Sequence, residues 1–303
     1  MKTNKQLLVI ALGSLLIASA SFAHASDRVS SDSVTFAKPE AKKPAAKKEE
    51  KVEKIEAGDK AETNPDHDYD KCLSLIDSDP NDALDYAQAW QSSTKEISLA
   101  ARHCAALAMS ALGRFQDSAI LLSEVAIAMD NKPNEVPKEA RAEAYAQVAN
   151  AWVLAKDNKK ALAAIDQALA LDPDADYVMT RANIHALAKN WDAVRIDTGK
   201  VLAELPTDAD ALALRATAYR NLGVPQAALE DANRAIEIAP HNLTALLERG
   251  RTKAALHDMT GARADWQQVV AIARQTGQEK GAQAVAAQEF LDLDKAPEGA
   301  AGK

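Results

Sequence analysis

The sequence predicts an all-α chain of repeated helix hairpins, and three observations carry that prediction. The first is composition: Ala and Leu dominate the hydrophobic 47% of the 303 residues, and aromatic residues make up only 4%. That balance suits closely packed helices rather than strands, which favour Val, Ile, Thr and aromatic side chains. The second is a period. The segments ALALDP, LAELP and IEIAP close at Pro173, Pro206 and Pro240, 33 and 34 residues apart, a spacing that marks a stack of helix pairs. The third is a register of small residues, with Ala149, Ala182, Ala216 and Gly250 in first helices and Ala161, Ala228 and Ala262 in second helices. Only small side chains let two helices cross that closely.

The N-terminus reads as a secretory signal over residues 1–25. Lys2 and Lys5 give a basic start, Leu7 to Ile17 an apolar run, and Ala23-His24-Ala25 a small-x-small cleavage site before Ser26. A retained anchor is the alternative, but the run is shorter than the roughly 20 residues of a bilayer span. No cysteine lies near the cleavage site, so a lipid anchor is not expected. The expectation is an exported protein, periplasmic in a Gram-negative envelope, with no stable membrane insertion after cleavage. Residues 26–64 carry nine basic and nine acidic side chains among Ala and Pro. They have little to bury and read as a disordered linker. Beyond signal and linker, 25 basic residues face 35 acidic ones, and no basic stripe for nucleic acid is present.

The array opens with a short pair, Tyr69 to Ile76 and Asn81 to Gln91. Asp79 or Asn81 in Asp79-Pro80-Asn81-Asp82 is placed to cap the second helix. Five pairs follow, near 99–129, 138–172, 175–205, 208–239 and 242–275. In the first of them Ala106, Gly113 and Phe115 keep the register, and Ser118 stands where the others have Ala. Pro133 and Pro137 make Asp130 to Pro137 a longer surface loop. Residues 279–293 read as an amphipathic helix covering the open face of the last pair, and 294–303 as a disordered tail. The four tryptophans, Trp90, Trp152, Trp191 and Trp266, fall on apolar faces and are expected in the core, with His185 and His257 in first helices.

The segments ALAAIDQALALDP (161–173) and ALEDANRAIEIAP (228–240) resemble the tetratricopeptide repeat family. The resemblance implies a right-handed superhelical α-solenoid, closed by the N-terminal pair and the C-terminal capping helix. It also implies a non-enzymatic adaptor that needs no cofactor and binds a peptide or protein on the concave face of its first helices. In this register one groove-facing row reads Leu107, Asn150, Asn183, Thr217 and Arg251. Amides both donate to and accept from a peptide backbone, so Asn150, Asn183, Thr217 and Arg251 form the candidate peptide site. The alternative is a solvated helix face. Members that clamp a C-terminal carboxylate place a lysine one turn before such an asparagine; here Ala146 and Met179 stand there, and that clamp is not expected.

Arg181, Arg215 and Arg249 share one first-helix position, and Asp197, Asp231 and Asp265 each follow 16 residues later. Where Arg is missing Asp is missing too, as in Val148 with Ala164 and Ala105 with Leu121. Positions that switch together from charged to apolar are expected to touch, because an unpaired buried charge costs several kcal/mol. The reading is three structural salt bridges; the alternative is an arginine row gripping an acidic ligand. Cys72 and Cys104 are the only cysteines. In an oxidising compartment they are expected to pair, the competing reading being a metal site with His67 or His103. Phosphate loops, nucleophile elbows and metalloprotease motifs do not occur, and no acid-base pair marks a cell-wall hydrolase. The remaining alternative to an adaptor is a structural subunit of an envelope assembly such as secretion, pilus or cell-wall machinery.

Overall fold

A computed structural model describes residues 68–94 and 97–295. The signal segment, the 26–64 linker and residues 296–303 lie outside the described residues. Those described form thirteen helices and fall into two compact units, one ending at Asp172 and the other beginning at Pro173.

The first unit comprises α1 (Tyr69–Ser78), α2 (Pro80–Ser93), α3 (Leu99–Ala111), α4 (Phe115–Asp130), α5 (Lys138–Leu154) and α6 (Asn158–Leu171). Each helix packs on the next through α6, and α1 also reaches α3. Asp79 caps α2: its side chain accepts from the Asn81 N–H, and Pro80 occupies the first turn, where a missing donor is harmless. The core under α1 is built from Leu84, Ala87, Cys104 and Ala108. Ser118 is fully buried at the alanine position, and its hydroxyl finds no partner among the described residues. The loop after α4 is pinned rather than simply superficial, because Val136 is buried and its N–H donates to the Lys132 carbonyl.

The second unit comprises α7 (Ala175–Leu187), α8 (Trp191–Glu204), α9 (Ala209–Asn221), α10 (Pro225–Ile238), α11 (Leu243–Ala255), α12 (Met259–Gln275) and α13 (Ala282–Lys295). First helices α7, α9 and α11 touch in order, and each is backed by its second helix. Ala182, Ala216, Ala228 and Ala262 are fully buried at the crossings. Gly250 is the extreme case: a Cβ there would collide with the indole of Trp266, so α11 and α12 meet this closely only with glycine. Helix α13 lies on α12 and α11, placing Ala287 and Leu291 in the Trp266 core and stacking Phe290 on that indole at 4.9 Å.

One turn recurs in both units. The first helix of each of five hairpins is followed, two residues after its last, by a residue with positive φ, successively Gly113, Lys156, Lys189, Gly223 and His257. The N–H of the residue after it closes back onto the helix, as in Arg114 to the Met109 carbonyl and Asp258 to the Lys253 carbonyl, which satisfies carbonyls the helix end would leave open. This places His257 in a turn and not in a first helix, correcting that expectation. The tryptophan expectation also needs correcting. Trp152 and Trp266 are buried, whereas Trp90 and Trp191 are only half-buried, because they sit near helix ends where one side of the ring has no neighbouring turn to cover it.

Candidate peptide-binding face

The arginine positions are spent inside the second unit. Arg181 donates to Asp197 from Nε and Nη2, both at 2.8 Å; Arg215 to Asp231 at 2.7 and 2.9 Å; and Arg249 to Asp265 at 3.0 and 2.6 Å. Each is a two-pronged bond from a first helix to its own second helix, and all three aspartates are buried. Burial alone would raise the Asp197 carboxyl, but hydrogen bonds from Arg181 and Lys200 outweigh it and hold it below the usual carboxylate range. The hydrogen bonds to Asp231 raise Arg215 above its ordinary value. In the first unit the corresponding places are apolar, with Ala105, Val148 and Ala164 buried and Leu121 half-buried. A row of guanidiniums already paired two-for-two with carboxylates has little left for a ligand.

The predicted peptide row divides on the same criterion. Asn150, near the end of α5, is exposed, and Asn183 on α7 is half-buried; neither amide has a hydrogen bond among the described residues. Thr217 does not present its hydroxyl: it is buried, and Oγ1 donates to the Ala213 carbonyl at 3.0 Å. Arg251 is also engaged, with Nη1 on Glu248 Oε1 at 2.6 Å and its guanidinium 5.1 Å from the Phe290 ring centroid. Thr217 and Arg251 are therefore removed from the contact row, the first by its own helix and the second by Glu248 and α13. Leu107 is buried. Ala146 is buried too, and Met179 packs among the apolar side chains beneath α7 and α9.

Sequence reasoning missed Glu248, which is buried on α11 and meets Arg220 Nε at 2.7 Å as well as Arg251. The only trace in the sequence is Glu248 three residues before Arg251, a spacing equally common on solvated faces.

Cys72 and Cys104 are joined in a disulfide with a Cα separation of 6.3 Å, so neither sulfur is available as a thiolate for a metal. Beside them His103 is buried between α1 and α5: Nδ1 lies 2.5 Å from the Tyr69 hydroxyl and Nε2 2.6 Å from Gln147 Oε1. The arrangement suits a neutral ring that accepts from tyrosine and donates to the amide. Burial lowers the His103 pKa, with Gln147 opposing it weakly, and burial raises Tyr69. His185 is half-buried on α7, and His67 lies outside the described residues.

A histidine held neutral binds fewer protons folded than unfolded, so stability rises with pH between its lowered folded value and the unfolded value of about 6.5. The contribution is present above about 6.5 and is lost as pH falls through the folded value. Denaturation midpoints taken from pH 7.5 to 5 should decline below about 6.5, by at most about 1.4 kcal/mol per pH unit from this group. The decline should flatten in His103→Gln; an unchanged slope in that variant would assign the effect to other groups.

No family model matches the chain, and no curated protein matches it. Solved structures do. The C-terminal part of a tetratricopeptide repeat-containing protein from Cytophaga hutchinsonii superposes with a TM-score of 0.55 at 13% identity, covering 75% of this chain and 89% of that one. A tetratricopeptide repeat protein from Parabacteroides merdae gives a TM-score of 0.52 at 15% identity, covering 75% and 87%. The chain thus has the all-α solenoid fold of tetratricopeptide repeat proteins.

Proposed function

We propose that this chain is a non-enzymatic interaction scaffold of the periplasm, which holds a peptide or protein partner on the surface of its first helices. The observation carrying this reading is the division among polar groups: the arginine ladder and Thr217 are consumed by the fold, whereas the amides of Asn150 and Asn183 are left unspent. An amide that the fold does not use is suited to a partner's backbone. Export rests on the reading of residues 1–25, and no helix among the described residues is long and apolar enough to cross a membrane.

The test is affinity capture of the mature chain from envelope extract beside the single variants Asn150→Ala, in the first unit, and Asn183→Ala, in the second. The expected result is a partner retained by the parent and weakened in each variant; a variant that retains it equally removes its own amide from the contact. A structural role in a larger envelope assembly has one observation behind it, the exposure of Val285 and Leu293 on α13. Mass in solution separates the two readings, since an obligate assembly member does not stay monomeric.

A further inference from the structure

Glu248 holds two cations at once. This carboxylate has 3% of its side chain exposed, and its two oxygens go to guanidiniums on different helices: Oε2 to Arg220 Nε on α9 at 2.7 Å and Oε1 to Arg251 Nη1 on α11 at 2.6 Å. One carboxylate between two fixed positive charges leaves the cluster with one unit of positive charge. Arg251 is further held over the Phe290 ring of α13. Arg220 differs: only its Nε is used among the described residues, its Nη atoms are not sealed from solvent, and the side chain is 21% exposed.

Arg220 stands in the last turn of α9, three residues beyond Thr217, and the end of its side chain reaches solvent there. The adjacent amide does not compete for a ligand, because Asn221 Nδ2 donates to the Thr217 carbonyl at 2.8 Å. Fixing Nε on a buried carboxylate orients the guanidinium plane, and the free end edge, carrying Nη1 and Nη2, has the spacing of a carboxylate's two oxygens. We propose that this edge of Arg220 receives an acidic side chain of the bound segment, with Glu248 as the residue that positions it. The inference rests on the interaction-scaffold reading and adds the chemical class of the partner, an acidic peptide.

A bland alternative is that Arg220 merely staples α9 to α11. A staple needs only the Nε contact, however, and a lysine would supply it; the unspent, solvent-reaching fork is what the staple leaves unexplained. The excess of acid over base along the chain opposes an acidic partner only at range, since exposed charges are screened beyond roughly 8 Å at physiological ionic strength. At contact the local charge of the cluster decides.

The test uses the full mature chain and two fluorescent, end-blocked peptides, one rich in Asp and Glu and the other its Asn and Gln counterpart, with anisotropy as the readout. The parent should bind the acidic peptide about tenfold more tightly than the amide one, the factor expected of one charge-assisted hydrogen-bonded pair. Arg220→Gln should erase that preference, Arg220→Lys should reduce it by losing the fork, and Arg195→Gln on α8, which removes the same charge elsewhere, should leave it intact. Melting curves check folding, and Arg220→Lys, which keeps an ion pair with Glu248, decides the matter if Arg220→Gln does not fold.

Equal binding of the two peptides by the parent would overturn the assignment while leaving the scaffold reading in place. So would a preference unchanged in both Arg220 variants, or one lost equally in Arg195→Gln. If neither peptide binds while the parent still captures a partner from extract, Arg220 alone is dismissed; if capture also fails, both readings fall.

Discussion

Arg215→Val should lower the unfolding free energy by about 3 kcal/mol, and adding Asp231→Ala should restore most of the loss. Removing the guanidinium strands a carboxylate that is only 5% exposed, and its remaining cation, Arg234, is 4.0 Å away and 44% exposed. An unpaired buried charge is the costly state; a pair replaced on both sides by apolar groups is often neutral or stabilising. The first unit already uses that replacement, with Val148 and Ala164 at the same two positions. Arg181→Val and Arg249→Val should cost less, because Lys200 stays 3.1 Å from Asp197 and Lys253 stays 2.8 Å from Asp265. Urea unfolding followed by circular dichroism measures all four variants. A single Arg215→Val as stable as the parent would mean the bridge contributes nothing.

Opening the Cys72–Cys104 bond should destabilise the first unit by about 3 to 4 kcal/mol, the chain-entropy value for the 32-residue separation it closes. The Cα distance of 6.3 Å lies within the usual span of such bonds. The effect should be local. After reduction α1 keeps polar ties such as Tyr69 to His103, the Asp68 N–H to the Tyr86 hydroxyl and Lys71 over the Tyr86 ring, beside its apolar contacts. Hydrogen exchange in α1 and α2 should therefore quicken with reductant while α9 to α12 stay protected. A thiol assay on denatured, non-reduced protein should find no free cysteine; two reactive thiols there would rule the bond out.

Much of the fold was legible because a repeat states its rules several times. The crossing alanines and Gly250 could be read from register, and the Arg and Asp positions could be matched because they switch together within one chain. The site was less legible, for a physical reason. Register says which residues share a helix face, but not which of them the fold uses internally. Thr217 returns its hydroxyl to its own helix, and Arg251 is taken up by a carboxylate on α11 and a ring on α13. Glu248 was invisible because a charged side chain on a helix ordinarily signals solvent, and it takes the approach of Arg220 from α9, beside Arg251 on its own helix, to permit its burial. His257 was assigned to a helix because the turn signal is normally glycine, which this chain has at Gly113 and Gly223 but not at the three equivalent turns.

Those three turns have a consequence of their own. Lys156, Lys189 and His257 hold φ values of 60°, 56° and 65°, a region in which an L side chain is strained by roughly 1 kcal/mol. They lie outside the helices, in the turns that follow first helices, and the backbone geometry they adopt is one glycine enters freely. The protein therefore carries thermal margin it does not use, located in three turns where a single glycine substitution would recover it without changing any helix.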